Sequence, residues 1–138
     1  MYVNFIREVV DTDELREKIE TESSFKVVAD LANATKREDF AAFELEISLK
    51  DVKAVLEENE VDLDAMSEDD LFDTYLNAAE EIAEGLADIM PDYAFMDARA
   101  YTIYELENVV KLVVATCPER LGELKLNDVM KRLLKQVY

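Results

Sequence analysis

The chain has 138 residues, half of them hydrophobic, with a formal net charge of −18 and no histidine. That charge argues against direct binding to nucleic acid or to an anionic membrane. The missing histidine removes the commonest general base and metal ligand. The one cysteine, Cys117, allows no intramolecular disulfide and fits a reducing cytoplasm, which is the expected compartment.

A chain of this length reads as one domain, residues 1–138. With only two glycines and two prolines it argues against a turn-rich β-sandwich. The expected fold is all-α, a compact bundle of about five to seven helices. The first residues lack the basic and long apolar regions of a secretory leader. The longest apolar run, Val109 to Cys117, is interrupted by Lys111 and too short to span a bilayer.

In chain order, Tyr2, Phe5, Ile6, Val9 and Val10 follow helical spacing and suggest a short first helix. Asp11 or Thr12 would cap the next, with Leu15 and Ile19 facing one way. Ser23 or Ser24 would restart a helix through Phe25, Val28 and Leu31. The stretch Phe40 to Leu49 fits two patterns. Phe43, Leu45, Ile47 and Leu49 alternate as in a strand, yet Phe40, Phe43 and Ile47 also fit a helix. Helix is favoured because no second alternating segment offers a partner strand. Ser48 with Asp51 would cap the following helix.

Ser67 to Met90 carries the clearest helical pattern. Ser67 caps it, Glu68, Asp69 and Asp70 suit its positive end, and Phe72, Tyr75, Ala79, Ile82, Leu86 and Ile89 form an apolar stripe. Pro91 ends it. Thr102 with Glu105 reads as a capping box opening a buried helix through Leu106, Val110 and Val113. Asn127 would cap a last helix with Val129, Met130 and Leu133 inward. The expected core includes Ile82, Leu86, Leu106, Val110, Val113 and Leu133.

Charge is unevenly distributed. Residues 54–98 hold fifteen acids and no base, whereas residues 99–138 hold five acids and seven bases. Adaptation to brine would make the chain acidic throughout, so a localised field facing something positive is the better account. The competing reading is that these acids only solvate helix faces. Tyr93, Phe95, Tyr101 and Tyr104 crowd the region just beyond, either as core or as an aromatic anchor beside the acids.

Motifs that carry chemistry are few. A calcium loop starting at Asp62 would place Met66, Ser67 and Asp73 where the motif needs an oxygen ligand, glycine and glutamate. A di-iron carboxylate bundle needs histidine. Gly85 and Gly122 stand alone, so there is no phosphate loop, and Cys117 has no histidine to activate it. No catalytic residue, metal ligand or cofactor is assigned, and an enzyme is not expected.

The functional expectation is an acidic inhibitor that occupies the nucleic-acid-binding surface of a basic partner protein, such as a nuclease. In kind it resembles the DNA mimics of phages and mobile elements, among them antirestriction and anti-CRISPR proteins; nuclease-immunity proteins use the same physics. The candidate contact residues are Asp62, Asp64, Asp69, Asp73, Glu80, Glu81, Glu84, Asp88, Asp92 and Tyr93. Homodimerisation stays open. Alternatives are an acidic adaptor or secretion-chaperone-like protein, which would expose an apolar groove, and a phage virion or assembly protein.

Overall fold

The structure is a computed structural model and describes residues 2–5 and 8–137. It is mixed α/β, which overturns the expected all-α bundle. A small hairpin pairs β1 (Tyr2–Phe5) with β2 (Glu8–Asp11). Next come α1 (Thr12–Glu22), β3 (Lys26–Asp30), β4 (Ala41–Ser48), α2 (Leu49–Glu58) and α3 (Glu68–Glu84). The chain continues through β5 (Ala94–Tyr104), β6 (Val109–Pro118) and α4 (Glu123–Val137). Strands β3 to β6 form one antiparallel sheet in the order β3-β4-β6-β5.

Residues 43–48 of the ambiguous stretch lie in β4, between β3 and β6, while Leu49 opens α2. β6 is central and covered on both sides, so it reads as a continuous apolar run rather than an alternation. Val110, Leu112 and Val114 point to one face and Val113, Ala115 and Cys117 to the other, and all six are buried. Val110 pairs with Ile47 and Val114 with Phe43, so the β4 alternation lands on the same core.

The sheet separates two apolar clusters. On one side Phe43, Leu45, Ile47, Leu112 and Val114 pack with Leu15 and Ile19 of α1, Val52 and Leu56 of α2, and Ala78, Ala79 and Ala83 of α3. The three alanines let α3 lie close against β5 and β6. On the other side Phe40, Ala42, Val113, Ala115 and Cys117 pack with Leu126, Val129, Met130 and Leu133 of α4.

Several local expectations are corrected. Residues 2–5 and 8–11 form the hairpin, not a helix, because Val3 and Phe5 are buried in the strand period of two; Ile6 lies outside the described residues. Phe25 to Asp30 enters β3 rather than a helix. Thr102 and Glu105 do not cap a helix: Thr102 is in β5, and Glu105–Asn108 forms the β5–β6 turn, with Asn108 N–H donating to Glu105 O at 3.3 Å. Leu106, placed in the core by its spacing, sits at this turn and is 102% exposed. Helix α4 begins at Glu123, a turn before Asn127, because Gly122 takes φ +84, a conformation open to glycine, and its carbonyl accepts from Leu126 N–H.

Other features lie where the pattern put them. Asp11, Ser48 and Ser67 cap α1, α2 and α3, and Ser67 Oγ accepts from Asp70 N–H at 3.2 Å. Leu86, Val110, Val113 and Leu133 are buried, while Ile82 is half-buried against the core. The clearest helix is shorter than expected. After Glu84 it tightens into a 3₁₀ turn, Gly85–Asp88.

Arg37 and Asp39, ahead of β4, form a two-point ion pair at 2.8 and 3.0 Å. The hydrogen bonds from Arg37 are the chief cause holding the Asp39 carboxyl below its ordinary value of 3.8. A depressed folded-state value means that this stabilisation is full above the ordinary aspartate range and is lost as pH falls through the folded value. Asp39→Asn is therefore expected to cost about 1 kcal/mol at pH 7. The gap from the parent should shrink at pH 3, read from urea midpoints at both pH values; a gap that widens in acid would contradict the assignment.

Candidate functional site

The acidic block folds into α2, a 3₁₀ turn at Leu63–Ala65, α3, and the segment that follows as far as β5. Of its fifteen carboxylates only Glu80 and Asp97 are half-buried; all the others are exposed. Asp62 and Asp64 flank and enter the 3₁₀ turn, Asp69, Asp73, Glu81 and Glu84 lie on α3, Asp88 is on its 3₁₀ continuation, and Asp92 follows Pro91. Steps of four, eight, three and four along Asp69, Asp73, Glu81, Glu84 and Asp88 bring those side chains to the outer side of α3 and its 3₁₀ continuation, away from buried Ala79 and Ala83. Among the described residues, no carboxylate from Glu57 to Asp92 forms an ion pair.

Glu80 is different. Its Oε1 accepts a hydrogen bond from Ala100 N–H at 3.0 Å, where β5 bulges between Ala100 and Thr102. β5 is an edge strand, so this N–H lacks a ladder partner on its outer side and the carboxylate supplies one. Glu80 is thus committed within the fold. Its spacing alone does not separate it from Glu81 or Glu84.

The aromatic cluster is divided. Tyr93 is 66% exposed at φ +57 beside Asp92. Phe95 and Tyr101 pack on the α4 side of the sheet, and Tyr101 donates its hydroxyl to Glu44 Oε1 at 2.5 Å. Tyr104 stacks over Lys111 Nζ, 4.9 Å from the ring centre. Lys111 is nearly buried and donates to Glu46 Oε2 at 2.7 Å. Burial pulls its ammonium down, but the bond to Glu46 and the charges of Glu46, Glu44 and Glu107 outweigh this and hold it above the usual lysine range. The sequence gives no sign of this network, because Lys111 reads there as an interruption of an apolar run.

The two sides of the sheet therefore differ in charge. Helix α3 presents carboxylates, while α4 exposes Lys125, Lys131, Arg132 and Lys135. No family model, curated protein or solved structure matches this chain. The functional reading rests on its own chemistry. Cys117 is buried, and burial pushes its thiol up to about 11, which leaves it little thiolate near neutral pH. Among the described residues, no group of three or more acidic or cysteine side chains is placed to hold a metal ion, and no helix is long and apolar enough to cross a membrane.

Proposed function

We propose that this chain is a non-catalytic binding protein of the inhibitor type, which lays the outer acidic face of α3, with Asp62 and Asp64 beside it, on the basic, nucleic-acid-binding surface of another protein. The observation that carries this reading is the run of exposed carboxylates from Glu57 to Asp92 without a paired base. Carboxylates that exist only to solvate a helix commonly alternate with lysine and arginine, which relieves repulsion. Here α3 has no base along its whole length. Contact with a positive surface would offset repulsion among these like charges.

Helix α3, with seventeen residues, is about 26 Å long and carries seven carboxylates, against about 15 phosphates on B-DNA of that length. Asp62 and Asp64 before it and Asp88 and Asp92 after it extend the acidic surface. Antirestriction, anti-CRISPR and nuclease-immunity inhibitors would all use such a surface. The reading takes the chain to act in the cytoplasm, where its single buried thiol stays reduced.

The test is capture from a host lysate on the immobilised chain at about 50 mM salt, with a parallel sample containing excess duplex DNA. Captured proteins should elute steeply by about 200 mM salt and be displaced by the DNA. Capture indifferent to both salt and DNA would overturn the proposal.

A further inference from the structure

The outer edge of β5 is an unpaired border of the main sheet, and α3 packs against this strand. In the order β3-β4-β6-β5 the strand has β6 on one side and, among the described residues, no strand on the other. Ala100 shows which groups face out, because its N–H turns away from β6 to Glu80. From Ala94 to Ala100 the pairing with β6 keeps an unbroken register, so Ala94, Met96 and Ala98 turn their N–H and C=O groups the same way. Glu80 occupies the donor of Ala100, and the bulge between Ala100 and Thr102 ends the regular edge there. Residues 94–100 thus offer about 23 Å of strand as a template for pairing.

Resting on the function proposed above, we propose that this edge takes an extended segment of the basic partner as a further strand, with lysine or arginine at every second position. Open N–H and C=O groups call for a partner whose own are open, which an extended segment has and a helix lacks. The charge pattern of the occupant follows from α3. Glu80 marks the side of the helix that stands over the edge, and Asp73 and Glu84, seven residues before and four after it, share that side. Side chains of an added strand alternate between the two faces of the sheet. Those on the α3 face meet this row, in which Asp73 and Glu84 are exposed and belong to no ion pair among the described residues. Those on the α4 face lie beside Asp97 and Arg99, which bond to each other at 3.2 Å and offer no net charge. Cations are therefore called for on one face only. A second copy of β5, paired antiparallel, would instead set a second row of α3 carboxylates on the same face as the first.

The probes are fluorescein-labelled nine-residue peptides of identical arginine and threonine content. One alternates the two residues and the other gathers the arginines in a block. By fluorescence polarisation the parent should bind the alternating peptide about tenfold more tightly. Changing Asp73→Asn and Glu84→Gln together, at exposed positions that leave the core intact, should erase that preference. Backbone pairing is read from two further forms of the alternating peptide, methylated on the nitrogens of all its arginines or of all its threonines. Charge is the same in both, but only one set of nitrogens faces β5. One form should therefore lose at least about tenfold in affinity and the other less than about twofold.

Equal losses in the two methylated forms, or equal binding of the alternating and block peptides by the parent, would overturn the added strand and leave the acidic-face reading standing. No salt-sensitive binding of any peptide would overturn both. A preference that survives in the Asp73→Asn, Glu84→Gln variant would overturn the β5 edge as its seat. Equal affinity for the alternating peptide with glutamate in place of arginine would overturn the assigned occupant. So would a homodimer in sedimentation that the alternating peptide dissolves.

Discussion

Replacing Phe43 with alanine is expected to cost about 3–5 kcal/mol, while the same change at Leu106 should leave stability within about 0.5 kcal/mol of the parent. Phe43 is 1% exposed at the middle of β4, with Asp30 of β3 on one side and Val114 of β6 on the other. Its loss leaves a cavity between the sheet and the helices over it, and close-packed neighbours relax only partly into such a space. A domain of this size has about 5–15 kcal/mol in total, so the variant should be near the edge of folding. Leu106 is fully exposed in the β5–β6 turn and has no packing to lose. Denaturant unfolding followed by far-ultraviolet circular dichroism reads both changes. The pair also tests the architecture: were Thr102–Val114 a buried helix, Leu106→Ala would cost about 2–5 kcal/mol.

The contrast between these residues shows how the sequence was legible and where it was not. Helices with a polar outer face announce themselves, so Ser67 and the stripe through Ala79 and Leu86 mark α3 without help from the rest of the chain. β6 cannot announce itself in that way. Both its faces are buried, its residues are apolar in every register, and periodicity cannot separate it from a helix. A helical reading of β6 leaves the alternating Phe43, Leu45 and Ile47 without a partner strand, so the two assignments depend on each other. The β-branched content of Val109, Val110, Val113 and Val114 was the signal that pointed the other way. Glu105 to Asn108 likewise matched a capping pattern, while Asn108 at φ +54 serves a turn.

The candidate site was legible as composition but not as geometry. The absence of bases between residues 54 and 98 is plain in the sequence, and of the seven carboxylates it marks on α3 all but Glu80 are exposed. Two things needed the fold. Glu80 is drawn to Ala100 by an edge-strand bulge twenty residues away. Lys111 meets Glu46 and the Tyr104 ring only because β4 and β5 pair on either side of β6. Neither is a local property of the chain.

Reversing Asp73, Glu81, Glu84 and Asp88 to lysine is expected to weaken binding of a basic partner by at least about 100-fold at 100 mM salt. All four are exposed and belong to no ion pair among the described residues, so each change removes an attraction and installs a repulsion without touching the core. Four contacts at about 0.7–1 kcal/mol each give roughly 3–4 kcal/mol, and every 1.4 kcal/mol is tenfold. Melting temperature should stay level or rise, because repulsion along α3 is relieved. Glu80 is left out deliberately. A lysine there would set an ammonium donor against the Ala100 N–H, weakening the β5 edge and confusing lost binding with lost structure. The control reverses Glu105, Glu107, Glu119 and Glu123, which are also exposed but lie outside the block. Both variants shift net charge by the same amount, from −18 to −10 after four reversals of +2 each. A loss confined to the first variant locates the contact on α3. Equal losses would mean that the partner senses only total charge, and a folded four-lysine variant with undiminished affinity would leave the acidic face as solvated surface with no part in binding.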